Sequence, residues 1–455
     1  MRSRGLSLAL AIWTAAAAGS ALQAPAPASS VTGDWILTLV VFGNERSERL
    51  SLKTEKAKLS GSVYRRGKPV PFTGKIDGDN VEFVIPGPDG SKQTYTGKIA
   101  GGTLSGKIVE TGGDQWGESP PADWRAQRAT PESERPASPR THDFEPVEFH
   151  RVFSASIPPV LRIWPGDVVR TRTVDAAGVD EKGKTRVLGG NPQTGPFYVE
   201  GAMPGDVLAV KILKLSLNRG TAISDDSFVD RALTTDYASE HKDNNFNDVV
   251  WNLDAEKGTA TLAKPTPHLK GLAVPVKPML GCVGVAPGFG GAAIRTGDSG
   301  RIGGNMDFAE IREGATIYLP VSQPGALLYL GDGHALQGDG ELNGNALETS
   351  LSVEFSLDVL REKSQGGVRI ENDEYLMAMG LAGSLDQAFR DATSGLASWL
   401  EKDYGLTGPE AAILLGATIQ YQISEVADRN VGIVAKIPKR FLPPKETPKE
   451  PVKGK

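Results

Sequence analysis

Short segments in which apolar and polar residues alternate recur along the chain, and a period of two residues predicts β-strands. In the N-terminal part, residues 81–84 (VEFV) follow this pattern, and the short sequences TGKI and LSG each occur twice. Repeated strand–turn units of this kind predict that residues 31–127 form a small antiparallel β-barrel or β-sandwich. Trp124 is expected in its closing strand.

The longer stretch from 146 to 442 carries the same signals and forms the predicted main domain. Its segment 207–217 is apolar on both alternating faces, as expected of a strand buried inside a sandwich. Further strands are predicted at 316–321, 326–330 and 351–359, with glycine and proline between them. We therefore predict a mainly β, sandwich-like domain with some α/β elements.

Two capping boxes predict helices near the C-terminus. The sequence SLDQ at 384–387 begins a helix that runs to about Tyr404. The sequence TGPE at 407–410 begins a second helix that runs to about Gln422, with proline in its first turn. Because the second helix is apolar on most sides, we expect it to be deeply packed.

The first 21 residues have the layout of a secretory signal peptide. Arg2 and Arg4 precede an apolar segment at 6–18, and small residues at 19–21 form the expected cleavage site. An uncleaved membrane anchor is the alternative, although the apolar segment is shorter than the ~20 residues that span a bilayer. No later segment is apolar over such a length, so we expect no transmembrane span after signal removal. These features predict a periplasmic or secreted protein of a bacterial envelope.

Two segments rich in proline and charge show no apolar period. Residues 128–145 are predicted to be a linker, and residues 443–455 a solvated, disordered tail. The domain order is therefore signal peptide, β-unit, linker, main domain and tail.

Composition narrows the classes of function. The 455 residues include 54 glycines and 31 prolines, together about a fifth of the chain. The ordinary share of these two residues is about 12%, so the excess supports a strand-rich protein with many turns. The net charge of −5 becomes −7 once Arg2 and Arg4 are removed, and this acidic balance argues against nucleic-acid binding. With one cysteine and five histidines, any metal site must rely on carboxylates.

The densest group of chemically active residues is the segment 331–341 (GDGHALQGDGE). Asp332 and His334 would share one face of an extended strand, and Asp339 and Glu341 would do the same. Carboxylate oxygens together with an imidazole nitrogen suit zinc or another divalent metal. A solvated acidic turn, or a loop that only resembles a calcium site, is the alternative.

A second candidate segment is GGNMD at 303–307. Asn305 could donate to an oxyanion, and Asp307 could bind a metal or act as a base. Taken alone, this segment is also typical of an ordinary Asx-type turn. The single cysteine, Cys282, has apolar neighbours, which indicate a buried and inert thiol rather than a nucleophile.

Several motifs in order carry a family resemblance: NPQTGPFYVEGAMPGD from Asn191, GCVGVAP from Gly281, GGNMD, and GDGHALQGDGE with Glu348 shortly after it. On these motifs, residues 146–442 resemble the acetamidase/formamidase family. The resemblance implies a largely β fold, homo-oligomers, and hydrolysis of short aliphatic amides to the carboxylic acid and ammonia. The signal peptide and the added N-terminal β-unit depart from the typical cytoplasmic member.

Residue types and resemblance together give a predicted site. A divalent metal, zinc with calcium as the alternative, would be held by His334, Asp307 and Asp339. Glu341 would act as general base and Asn305 would face the oxyanion, with Asp307 also counted as catalytic. The residues predicted to contact substrate are Asp332, Gln337 and Glu348.

The predicted function is hydrolysis of the C–N bond of a short linear amide, such as formamide or acetamide, by an exported amidohydrolase. A non-catalytic extracytoplasmic binding or accessory protein on the same fold is the alternative. A protein without turnover would be free to lose Asp307, His334 or Glu341, and this chain has all three.

Overall fold

The structure, a computed structural model, describes residues 31–444 apart from 42, 66–67, 88–89, 113–119, 242–245, 289–291 and 362–365. The predicted signal peptide and all but the first two residues of the predicted tail lie outside the described residues. Among the residues that are described, no helical segment has both the length and the apolar character of a bilayer-spanning helix.

Eight antiparallel strands near the N-terminus form a closed barrel in which each strand pairs with the next. These strands are β1 (Gly33–Val41), β2 (Asn44–Glu55), β3 (Lys58–Arg65), β4 (Lys68–Asp77), β5 (Asn80–Pro86), β6 (Lys92–Ala100), β7 (Thr103–Thr111) and β8 (Ala122–Arg128). The pairing of β1 with β8 closes the barrel, and Trp124 lies opposite Leu39 in that closing pair. The predicted small antiparallel barrel is confirmed.

Aromatic residues fill the barrel because alternate positions of each strand point inward. Phe83 stacks on Tyr95 with ring centroids 4.7 Å apart, and Trp124 meets Phe83 edge-on at 5.6 Å. Gly97 makes room for this indole, since a Cβ at that position would lie 2.6 Å from Cζ2 of Trp124. The alternation that predicted the strands therefore also produced the core.

The rest of the described chain is a larger β-rich body, and its α-helices are α1 (Thr235–Glu240), α2 (Leu385–Tyr404) and α3 (Gly408–Thr418). Its strands are β9 (Thr141–Asp143), β10 (Val152–Phe153), β11 (Leu161–Ile163), β12 (Val168–Arg172), β13 (Gln193–Val199), β14 (Val207–Leu217), β15 (Thr221–Asp225), β16 (Asp248–Asp254), β17 (Thr259–Leu262), β18 (Ala273–Pro275), β19 (Met279–Val285), β20 (Ile294–Arg295), β21 (Ser299–Gly300), β22 (Gly303–Asn305), β23 (Thr316–Pro320), β24 (Leu328–His334), β25 (Leu351–Leu360), β26 (Arg369–Glu371), β27 (Tyr375–Ala382), β28 (Gln420–Ile423) and β29 (Val431–Pro438).

Two sheets of this body share one hydrophobic core. A nine-stranded sheet has the order β28-β29-β27-β26-β23-β14-β25-β12-β9, and a six-stranded sheet has the order β11-β13-β24-β19-β22-β21. Residues from both sheets form one buried cluster, in which Phe197 of β13 meets Phe355 of β25 at 5.4 Å. The predicted β-sandwich with C-terminal helices is confirmed.

The two C-terminal helices begin where the capping boxes predict, but the second differs from its prediction. It ends at Thr418, and the following residues form the edge strand β28. It is also not deeply packed, because only Ala411 and Leu415 are buried and Ile413 is 76% exposed. An apolar composition on all sides therefore did not mean burial on all sides, since this helix touches the body along one face.

The segment predicted as a linker is partly structured. Strand β9 pairs in parallel with β12, so the end of this segment belongs to the nine-stranded sheet. Nε2 of His142 lies 2.8 Å from Oδ2 of the buried Asp167.

The barrel contacts the body through Arg49, which donates to Asp206 at 2.8 Å. Asp206 follows the far end of β13, whereas the candidate site lies at the end that carries Gln193.

Candidate functional site

Three neighbouring strands of the six-stranded sheet bring Asp307, Asp332 and His334 together. Strand β24 carries Asp332 and His334, and Asp307 follows the end of β22. Both strands flank β19, which passes between them with Gly281. The backbone N–H groups of Met306 and Asp307 donate to the carbonyl oxygen of Gly281, at 2.9 and 3.1 Å. The glycine-rich motifs therefore converge, as the sequence indicated.

His334 lies at the centre of a buried group of carboxylates. Its Nε2 is 3.1 Å from Oε1 of Glu348, 3.3 Å from Oδ1 of Asp332 and 3.9 Å from Oδ1 of Asp307. Glu341 belongs to the same group, and all five residues are at most 7% exposed. We call Asp307, Asp332, His334, Glu341 and Glu348 the acidic–histidine cluster.

This cluster has the composition and spacing of a metal site. Two overlapping sets, Asp307 with Asp332 and His334, and His334 with Glu341 and Glu348, each place their ligand atoms within 4.8 Å of one another. Both carboxylate oxygens of Asp307, Oε2 of Glu348 and Nε2 of His334 are buried without a well-formed hydrogen bond among the described residues. Buried polar atoms are normally satisfied, so these atoms fit a cation that they would coordinate.

The pKa values of the cluster also fit a bound cation. Burial raises the pKa of Asp307 and of Glu341 well above the ordinary values, and neighbouring carboxylates add to the effect. Burial also raises the pKa of Glu348 to about 7. For His334, burial lowers the pKa, but the charges of Glu348 and Asp332 outweigh it and raise the pKa well above its usual range. So many carboxylates in one dry site require a counter-charge or protons.

Four of the eight non-glycine residues with positive φ values in the described part of the chain lie at this site. Asn191, Asp307, Asp332 and Glu341 have φ values of 58°, 39°, 59° and 48°. Asn and Asp enter this region more readily than other residues, and for Glu341 it costs about 1–3 kcal/mol.

Gln337 orients the histidine. Its Oε1 lies 3.0 Å from Nδ1 of His334, while its Nε2 donates to the carbonyl oxygens of Asp307 and Ser424 at 2.5 and 3.1 Å. A neutral histidine that donates from Nδ1 presents a lone pair at Nε2, the atom that faces the carboxylates, and a bound metal would hold His334 in that neutral form. The role predicted for Gln337 was substrate contact, but both ends of its amide are already engaged.

Asn305 is similarly engaged on both sides. Its Nδ2 donates to Asp428 at 2.5 Å, and its Oδ1 accepts from Nδ2 of Asn191. Asn191 also donates to Oδ2 of Asp332 at 3.0 Å. These contacts make Asn305 a positioning residue in this arrangement rather than a free donor for an oxyanion.

The structure does not bring Asp339, a predicted metal ligand, to the cluster. Its side chain is exposed and accepts from Nε2 of Gln422 at 2.6 Å. The turn at Gly340 and Glu341, with φ values of 87° and 48°, separates the directions of Asp339 and Glu341. Asp332 and Glu348, which were predicted to contact substrate, belong to the cluster and also line the cavity above it.

Two polar residues near the cluster had no assigned role in the sequence prediction. Asn191 begins a motif that was recognised only as a family feature, and its hydrogen bonds to Asp332 and Asn305 become visible in the structure. Asp428 is distant in sequence, and its pKa is raised to about 6, mainly by burial. Neither apolar–polar alternation nor a sequence motif predicts these contacts, because they depend on how distant loops fold back.

A cavity of about 920 Å³ opens above the cluster. Asp332, Glu341 and Glu348 line its floor.

Cys282, the single cysteine, is fully buried. Its Sγ lies 3.5 Å from the carbonyl oxygen of Thr296, and burial raises the pKa of its thiol well above the ordinary value. These properties support the interpretation of Cys282 as inert.

Comparison with known proteins identifies the class. The sequence pattern of the Acetamidase/Formamidase family matches residues 138–289 and 288–441, so the chain belongs to this family. The match begins after the barrel, which the family pattern does not cover.

Individual relatives agree with this assignment. The acetamidase of Mycolicibacterium smegmatis is 29% identical over 141 residues, 26% of this chain and 34% of that protein. The chain thus matches only about a third of the length of this curated relative. A recombinant predicted acetamidase/formamidase from the thermophile Thermoanaerobacter tengcongensis has 30% identity and a TM-score of 0.57, covering 67% of this chain and 97% of that one. The acetamidase of Yersinia enterocolitica has 29% identity and a TM-score of 0.57, covering 67% and 94%.

Glu425 provides a test of the electrostatics beside the cluster. It is completely buried next to Ser424, its Oε2 accepts the N–H of Asp428 at 3.1 Å, and burial raises its pKa to about 8. Since the folded state favours the protonated acid, the stability from this group is complete below about pH 4.5. It is lost as the pH rises towards 8.

We therefore expect Glu425→Gln to stabilise the metal-free protein at pH 8, by roughly 1–3 kcal/mol, and to change little at pH 5. Thermal unfolding of both proteins at the two pH values measures this. An equal loss of stability between pH 5 and 8 in the variant and the wild type would contradict a buried, protonated Glu425.

Proposed function

We propose that the chain is an exported amidase that hydrolyses the C–N bond of a linear amide to a carboxylate and ammonia, with a divalent metal at the acidic–histidine cluster. The observation that carries this proposal is the convergence of family motifs into a buried cluster of unsatisfied carboxylates and one histidine below an open cavity. Membership of the acetamidase/formamidase family supports the reaction class.

The metal would be held by His334 with Asp307 and Asp332, or by His334 with Glu341 and Glu348. Zinc suits a site with an imidazole and carboxylates, and calcium is the alternative for a site dominated by oxygen atoms. When bound, the ion would polarise the amide carbonyl and lower the pKa of a water molecule.

The side chains of the protein would supply proton transfer and orientation. Glu341 lines the cavity, and burial raises its pKa well above the ordinary value, which makes its carboxylate a stronger base. It would take a proton from the attacking water and deliver it to the departing nitrogen. Gln337 holds the tautomer of His334, and Asn191 fixes the carboxylate of Asp332.

Ammonia release from purified protein tests the reaction. We expect turnover of at least one member of a panel of formamide, acetamide and larger amides, its loss after treatment with a chelator, and its return on addition of zinc. Elemental analysis of the same preparation should find about one divalent ion or more per chain. Well-folded, metal-replete protein that releases no ammonia from any amide would instead favour the non-catalytic binding function.

Export and assembly are part of the same proposal. The sequence at the N-terminus supports cleavage after Ala21 and a periplasmic or secreted mature protein. N-terminal sequencing of the mature protein should therefore begin at Leu22, and an intact Met1 on envelope protein would contradict cleavage. Family membership supports a homo-oligomer, for which light scattering of the mature protein is the measurement.

A further inference from the structure

The cavity above the cluster is much larger than a short amide. Its volume is about 920 Å³. Acetamide has four non-hydrogen atoms and, at about 30 Å³ for each water-sized group, fills on the order of 100 Å³. Cavities of roughly 300–1,000 Å³ are typical of sites for much larger ligands. The cavity therefore has room for a substrate with a second recognition group remote from the scissile bond.

The walls of the cavity indicate what that group is not. Few apolar side chains contribute to them, and these are small or isolated: Val152, Ala176, Ala177 and Ile223. A long alkyl chain would bury little apolar surface against such walls. The remote group is therefore expected to be polar or charged.

Two arginines on one wall lack a charged partner. Arg151 and Arg295 both line the cavity, and neither has a carboxylate within ion-pair distance in the part of the chain that the structure describes. Nη1 of Arg151 donates to the carbonyl oxygen of Gly189 at 3.3 Å, which leaves its other donors available. By contrast, Arg429 on the same cavity lies 3.8 Å from Asp298.

This wall is directly connected to the cluster. The backbone N–H of Thr296, the residue after Arg295, donates to the carbonyl oxygen of Arg151 at 3.2 Å. Its Oγ1 donates to the carbonyl oxygen of Gly190 at 3.2 Å, and the next residue, Asn191, donates to Asp332. The segments that carry the two arginines are thus hydrogen-bonded to the segment whose Asn191 holds Asp332, and Arg151, Arg295 and Asp332 line the same cavity.

We propose that the substrate is a monoamide that carries a carboxylate several bonds from the scissile C–N bond, and that Arg151 and Arg295 bind this carboxylate. Guanidinium groups match carboxylates with paired hydrogen bonds. Asp248 on the cavity wall carries the opposite charge and faces Asp225 across the β15–β16 pair, so it would repel an anion towards the arginines. This inference rests on the proposed amidase function.

The reaction itself is unchanged. Water adds its oxygen to the acyl carbon, the C–N bond breaks, and the nitrogen leaves as ammonia after taking a proton. The remote carboxylate takes no part in bond breaking, so the product is a dicarboxylate. The same arginines that bind the substrate would then hold one end of this product.

Three amides of equal chain length separate the possibilities: succinamic acid is anionic, butyramide is neutral and 4-aminobutyramide is cationic at pH 7. We expect kcat/KM for succinamate to exceed that for butyramide by at least about tenfold, and to decrease with added salt. In Arg151→Gln and Arg295→Gln, the ratio of these two values should fall towards one through a higher KM for succinamate. The matched control is Arg301→Gln, an exposed arginine that does not line this cavity, and it should keep the wild-type ratio.

Equal kcat/KM for succinamate and butyramide, preference for 4-aminobutyramide, or an unchanged ratio in both arginine variants would overturn the inference. Calorimetric titration with succinamate separates it from the proposed function. Suppose that no amide is turned over, but that succinamate binds to the wild type and not to a variant that carries both Arg151→Gln and Arg295→Gln. The anion site then stands and the amidase function fails. If the protein hydrolyses butyramide or acetamide but neither binds nor hydrolyses succinamate, the anion site fails and the amidase function stands.

Discussion

Replacing His334 by alanine is expected to lower kcat/KM for amide hydrolysis by on the order of 10³-fold and to remove tightly bound metal. The reason is geometric, because His334 is the one residue common to both sets of potential ligands, at 3.1 Å from Glu348 and 3.3 Å from Asp332. Without the imidazole, the remaining carboxylates repel one another in a dry site. Ammonia release and elemental analysis of the same preparation measure the two effects.

Asp339→Asn is the matched control for this prediction. Asp339 lies five residues from His334 in the same motif, but its side chain is exposed and bound to Gln422. We expect this variant to keep activity within about twofold and to retain its metal. A loss of activity in Asp339→Asn comparable to that in His334→Ala would contradict the proposed site, because Asp339 would then have to reach the metal or the substrate. Thermal unfolding of both variants separates loss of chemistry from loss of fold.

The contrast between these residues shows how far a sequence can define such a site. Asp332 and His334 were expected on one face because they alternate on an extended strand, and β24 does carry both. The same reasoning failed for Asp339 and Glu341, because positive φ values at Gly340 and Glu341 turn the chain between them. The spacing of two residues along the sequence predicts whether their side chains point the same way only where the backbone between them is a regular strand.

Contacts between distant segments were harder to predict than the elements. The barrel followed from alternation and repeats, and both helix starts followed from capping boxes, since these signals are local. The contact of Asn305 with Asp428 joins segments 123 residues apart, and that of Glu348 with His334 depends on how the loop between them turns back. The family motifs indicated that the segments belong together, but not which side chains meet.

Gly281→Ala is expected to disrupt the acidic–histidine cluster directly, because the added methyl group would enter it. A Cβ at Gly281 would overlap Oδ1 of Asp307 and Oδ2 of Asp332, and it would lie 2.9 Å from Cε1 of His334. All three neighbours are buried and have little room to shift. Overpacking of this kind costs about 1–3 kcal/mol of stability.

The larger effect of Gly281→Ala should be on the chemistry, because two carboxylates and the imidazole would move apart at once. We expect at least a 100-fold lower kcat/KM and a lower metal content, while the barrel keeps its structure. Gly297→Ala is the control, since Gly297 lines the same cavity and a Cβ there meets no heavy atom within 4 Å. Wild-type turnover and metal content in Gly281→Ala would show that the cluster does not need the close packing on which the proposed site depends.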